Sequence, residues 1–166
     1  MITIDQIKQL REETGVSPIE IKKALEQAAG NVKKAKELLR VWGKTLANKK
    51  TSRETRHGIV DAYIHPDSKT GVLLDIRCES DFVAKSPDFR NLAHEICLQI
   101  AAMKPLFVRE EDIPEEFLDG EEEVSLLSQP WIKDDSKTIK NLIENTIAKV
   151  GENIEVKKFT RYSICS

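Results

Sequence analysis

The sequence predicts an α+β fold in two parts. Residues 1–50 form a three-helix module, and residues 51–166 form a core in which a three-stranded antiparallel sheet packs with helices. Three observations lead there. Hydrophobic residues recur at helical spacing as far as Leu46, the period changes to two from Gly58, and helical spacing returns over Pro87–Met103 and again ahead of Gly151. A chain of 166 residues suits one compact domain or a small module joined to one.

The elements follow in order. Thr3 and Gln6 have capping-box spacing, with Ile4, Ile7 and Leu10 on one side of the first helix and Gly15 as its end. Ser17-Pro18-Ile19-Glu20 supplies a cap, a proline at the first helical position and a glutamate at the third. Ile21 and Leu25 form the buried stripe of this second helix, helped by Ala24 and Ala28, and Gly30 stops it. Asn31 caps a third helix carrying Val32, Ala35, Leu38, Leu39, Trp42 and Leu46. Three such helices make only a marginal core alone.

Lys44–Gly58 holds five Lys or Arg, one Glu and one His, and no aromatic side chains interleave for base stacking. It reads as a helix tail running into a solvated linker rather than a phosphate-binding patch. GIVDAYIH and GVLLDIRC then alternate as strands joined by the turn PDSKTG. After the connection CESDFVAKSPDF, Ser86 caps and Pro87 opens a helix to about Met103. Its inner stripe is Phe89, Leu92, Ala93, Ile96, Cys97 and Ile100, and Lys104-Pro105 ends it. Arg109–Glu123, with nine Asp or Glu against one Arg, reads as an exposed loop with at most a short helix. A helix over about Ser136–Val150 follows, with Ile139, Leu142, Ile143, Ile147 and Val150 inward and Gly151 closing it. The last strand runs from Ile154 to about Ile164, with Ile154, Val156, Tyr162 and Ile164 alternating against Glu155, Lys157 and Arg161. A three-stranded sheet leaves an unpaired edge, and pairing with a second copy would cover it, so a homodimer is expected.

Composition narrows the function. A net charge of -2 argues against a dedicated nucleic-acid binder, including one built on Lys44–Arg56. No apolar run approaches the roughly 20 residues that span a bilayer. MITIDQIKQLREE has no apolar signal core, so a cytoplasmic location is expected and no membrane association. Cys78, Cys97 and Cys165 are widely spaced and odd in number, as in reduced thiols rather than a disulfide frame or zinc site. There is no GxxxxGK[ST], GxGxxG, HExxH, GxSxG or paired CxxC. His57, His65 and His94 are scattered, and the acidic run lacks the alternating spacing of a Ca²⁺ loop. No catalytic residue, metal or cofactor is therefore expected, and the chain reads as a binding protein. Phe82 stands out within it, an aromatic between Asp81 and Lys85 in a short connection. It either plugs the core beside the next helix or projects toward a partner.

Three stretches resemble one family. IDQIKQLREETGVSPIEIKKALEQAAGNVKKAKELLR resembles the N-terminal ubiquitin-associated-like module of bacterial elongation factor Ts, CESDFVAKSPDF resembles its CQTDFVA motif, and QPWIKDDSKTIKNLIENTIAKVGENIEVKKFTRYSI resembles its closing segment around IGENI. The match runs in order through most of the chain. It implies a guanine-nucleotide exchange factor that binds elongation factor Tu with GDP and speeds GDP release, without binding nucleotide itself. By the same resemblance Asp81 and Phe82 reach the nucleotide domain of Tu, and the ring wedges between its helices. Because Mg²⁺ demands near-ideal octahedral geometry, a small shift of the loops around it weakens metal and nucleotide together. Ser80 stands where the family has Thr and keeps the capping hydroxyl, while Val83 and Ala84 support the ring from behind. Pro18 and Ile19 stand where the family's Met-Met pair docks on Tu, flanked by Leu10 and Val16.

Two departures from the family accompany the match. The chain carries one copy of the core subdomain where many members carry two, and short members of this kind are homodimers. The region between Pro114 and Gln129 is short where members usually place a helical hairpin or coiled coil. The reading from another class is an adaptor: a peptide-binding three-helix module fused to a dimerising sheet.

Overall fold

The computed structural model describes residues 2–118 and 124–165. Its first helix, α1 (Ile4–Thr14), begins where Thr3 and Gln6 exchange side-chain-to-backbone hydrogen bonds and ends at Gly15. Helix α2 (Pro18–Gln27) starts on Ser17, whose hydroxyl accepts from the Glu20 N–H, and α3 (Val32–Lys50) starts on Asn31 in the same way. Leu10, Ile21, Ala24, Leu25, Ala28, Ala35 and Leu39 close one hydrophobic cluster among the three helices. Ile4 is not in it and is exposed. At 3.6 residues per turn, six residues separate Ile4 from Leu10 by roughly 120° around the axis, so both cannot face the module interior.

The second cluster lies between a sheet and two helices. Strand β1 (His57–Ile64) pairs antiparallel with β2 (Thr70–Cys78), which pairs antiparallel with the C-terminal strand β5 (Ile154–Ser163), giving the order β1-β2-β5. Val72, Leu74, Ile76 and Cys78 of β2 face the cluster, and α5 (Pro87–Met103) covers them with Phe89, Leu92, Ala93, Ile96, Cys97 and Ile100. Helix α6 (Ile139–Val150) adds Ile139, Ile143 and Ile147. The long α3 links the two clusters: its last buried apolar residue, Ala47, belongs to the sheet cluster, and the helix packs against α6.

Three further expectations need correction. The DFVA segment is not an irregular connection but a single helical turn, α4 (Asp81–Ala84). Helix α6 begins three residues later than expected: Asp134–Thr138 is strand β4, paired with β3 (Pro130–Trp131), and the helix starts where Thr138 and Asn141 form a reciprocal capping box. Ser136 is drawn into the hairpin because its N–H and hydroxyl both bond Asp134 Oδ1, at 3.1 and 2.6 Å. Within Lys44–Gly58, α3 continues to Lys50 and an exposed stretch follows it, with Lys50 and Thr55 the two buried positions. Lastly, Tyr162 and Ile164 do not join the inner face. The register shifts by one residue between Asp75–Lys158 and Ile76–Val156, leaving Lys157 as a bulge. One extra residue inverts the side-chain parity of everything beyond it. Phe159 and Arg161 thus turn partly inward, whereas Tyr162 is 72% and Ile164 68% exposed.

The acidic stretch, where described, contains two short 3-10 turns, Glu110–Asp112 and Glu115–Phe117. Its continuation at residues 119–123 lies outside the described residues.

Candidate functional site

Four residues make α4, and one turn of helix has almost no stability of its own. Its geometry is imposed from both ends and from below. Ser80 takes an extended conformation, φ -129° and ψ 154°, and its hydroxyl accepts the Val83 N–H at 3.3 Å. At the other end the Lys85 N–H returns to the Asp81 carbonyl, and Ser86 caps α5 while donating its hydroxyl to the Val83 carbonyl at 2.7 Å. Beneath, Val83 and Ala84 are buried in the cluster with β2 and α5.

With the helix pinned this way, Phe82 points outward and is 86% exposed. The core-plug alternative is excluded: the apolar residues that seal this corner are Val83 and Ala84. Leaving a phenyl ring in water forgoes roughly 1.5–3 kcal/mol of burial, which marks Phe82 as a residue not spent on the fold. Asp81 stands beside it, exposed, with Lys85 Nζ at 2.6 Å one turn later. The hydrogen bond from Lys85 holds the Asp81 carboxyl below its ordinary value, so it is ionised at neutral pH. An exposed ion pair of this kind contributes little stability and is easily exchanged for another partner.

The second group of sequence candidates sits on the other cluster. Pro18 and Ile19 open α2 with their side chains exposed, Ile19 at 70%. Val16 is half-buried against the module core. Leu10 is fully buried inside that core and presents no surface, because its position on α1 faces α2 and α3. Four candidates therefore support rather than face outward: Leu10 within the three-helix core, Val83 and Ala84 under Phe82, and Ser80 as the α4 cap. α4 packs with β1, β2 and α5, whereas α2 packs with α1 and α3, so the two exposed groups belong to separate parts of the molecule.

Sequence reasoning missed what holds the Ser80 cap. The Glu152 carboxylate accepts from the Ser80 N–H at 2.9 Å and from the Ser80 hydroxyl at 2.8 and 3.0 Å. Next to it, the Asn153 N–H donates to Glu79 at 2.8 Å. The GEN triplet signalled this only as part of a motif, because its partner lies 72 residues away. A surface depression of about 710 Å³ lies elsewhere, lined by Ala47, Thr51, Ile147 and Glu155 among others. The exposed candidates thus project from the surface and do not line a cavity.

The Elongation factor TS family model matches residues 5–126, which include both groups. The chain belongs to the elongation factor Ts family. It is 44% identical to Elongation factor Ts of Thermotoga petrophila over 191 aligned positions, covering 98% of this chain and 96% of that protein. It is 42% identical to Elongation factor Ts of Coprothermobacter proteolyticus, covering 98% of each. Against Elongation factor Ts of Carboxydothermus hydrogenoformans it is 40% identical, covering 99% of this chain and 89% of the relative. Elongation factor Ts family membership gives the chain a role in translation elongation. No helix among the described residues is long and apolar enough to cross a membrane, and no group of three His, Cys, Asp or Glu among them could hold a metal ion.

Proposed function

We propose that the chain is a guanine-nucleotide exchange factor that binds elongation factor Tu carrying GDP and promotes GDP release by protein–protein contact. The observation that carries this reading is the placement of Phe82, an 86% exposed ring on a turn whose backbone is fixed on every side. A rigidly mounted aromatic suits insertion between packed elements of a partner, which respond in discrete steps rather than by smooth deformation. Asp81 supplies an ionised carboxylate beside the ring, and Val16, Pro18 and Ile19 offer a second, apolar foothold. Coupling of this kind is reciprocal: whatever weakens GDP on the partner is weakened by GDP in return. The chain needs no nucleotide site, metal or cofactor of its own for this, and works in the cytoplasm.

The same reading includes a homodimer. The face of the sheet turned away from the helices carries Val60, Ile64, Leu73, Tyr162 and Ile164, all exposed. The edge strands β1 and β5 flank it. The apolar residues gather at the Ile64, Leu73 and Tyr162 end of this face, and such a patch is matched by the same patch of a second copy, as two-fold association requires.

The test is release of a fluorescent GDP analogue from Tu of the same organism. Acceleration by the wild-type chain, lost in Phe82→Ala, supports the reading; no acceleration by the wild type sinks it.

A further inference from the structure

The turn Gly151–Asn153, between α6 and β5, connects three parts of the chain that are far apart in sequence. Gly151 ends α6 in the left-handed conformation, φ 76°, and its carbonyl accepts from Lys50 at the end of α3. The Asn153 side chain donates to the Arg53 carbonyl at 2.9 Å and reaches the Thr51 carbonyl at 3.5 Å, while its N–H holds Glu79. Between them, Glu152 takes both donors of Ser80.

That last contact has a geometric consequence. With its proton held by Glu152, the Ser80 hydroxyl turns its lone pairs toward the Val83 N–H, the bond that starts α4. Phe82 lies between those two residues and has no packing of its own to hold it. Its direction is therefore set by Val83 and Ala84 below and by the Ser80 cap, and the cap is held by Glu152. Hydrogen bonds to an ionised acceptor are about twice as strong as neutral ones, which makes the carboxylate a firmer anchor than a neutral side chain.

We propose that Glu152 is a positioning residue for exchange, acting through Ser80 on the direction of Phe82 and touching no partner atom itself. The proposal rests on the exchange reading above.

The experiment is a double-mutant cycle. Maximal stimulated release of the GDP analogue and the half-saturating concentration of the factor are measured for wild type, Glu152→Ala, Phe82→Ala and the double variant. Amide hydrogen exchange at Ser80 and Val83 is followed in the free proteins. Glu152→Ala is expected to lower the maximal rate about tenfold and to expose both amides, with no further loss once Phe82 is already alanine. Glu152→Gln, which keeps an oxygen acceptor, should recover most of the rate. If Glu152→Ala does not fold, Ser80→Ala carries the same cycle. An equal loss in both backgrounds, or unchanged release with deprotected amides, overturns the proposal while leaving the exchange reading intact. A wild type that does not accelerate release overturns both.

Discussion

A side chain that contributes nothing to its own fold can be removed without loss of stability. Phe82 meets that description, so Phe82→Ala should melt within a degree or two of wild type while weakening the interaction with Tu by about 2 kcal/mol or more, roughly thirty-fold. A large fall in melting temperature would return the ring to the core. The cysteines give an independent check on burial. Burial, with a smaller contribution from Asp61, pushes the Cys97 thiol up to about 12. Burial and then the Glu152 charge push Cys78 up to about 11. Cys165 is exposed, so a thiol reagent at neutral pH should modify it alone in the folded chain and all three thiols after denaturation. The sign of the pH effect follows. Above the ordinary thiol value of 9.0 the unfolded chain has lost these protons while the folded chain keeps them. Their stabilising contribution is thus complete below that value and disappears as pH rises toward about 11 for Cys78 and about 12 for Cys97. Urea midpoints that decline over this range, and decline less in Cys97→Ala, are the expected result.

Among the elements, those with local signals were legible and those decided by distant partners were not. The capping residues Thr3, Ser17, Asn31 and Ser86 each form the bond their spacing announced, because donor and acceptor lie within three residues. Thr138 was legible by the same rule, but Ser136 competes with it two residues earlier and only the β3–β4 pairing decides between them. The outward Phe82 and its apolar foothold at Pro18–Ile19 could be named from motif resemblance, whereas the Glu152 anchor of the cap could not, since nothing local to Glu152 points to Ser80. Two substitutions test the elements. Thr138→Ala removes a helix cap and should cost about 1 kcal/mol, a drop of roughly 2–4 °C in melting temperature for a chain of this size. Gly58 lies so close to β2 that an added Cβ would meet the Ile76 carbonyl oxygen at 2.2 Å. Gly58→Ala must push the two strands apart, with an expected cost of about 1–3 kcal/mol in denaturant titration. An unperturbed midpoint would mean that β1 adjusts freely against β2.

For the whole molecule, the α4 site and the face proposed for pairing two copies lie on opposite sides of the sheet. α4 packs with the helix-covered side, and the opposite face carries the exposed Leu73 and Tyr162. Leu73→Asp together with Tyr162→Asp should therefore give a monomer by sedimentation at micromolar concentration while leaving stimulated GDP release largely intact. A double variant that stays dimeric would place the contact elsewhere. The bulge at Lys157 fixes which side chains of β5 reach this face. Removing Lys157 would leave Lys158 opposite Asp75 and Phe159 opposite Leu74, a regular ladder in which Tyr162 still faces outward while Phe159 and Arg161 still face the helices. Flattening the bulge with no residue lost would instead carry Tyr162 and Ile164 to the helix side, so the face proposed for pairing two copies exists only because one residue of β5 is left out of the ladder.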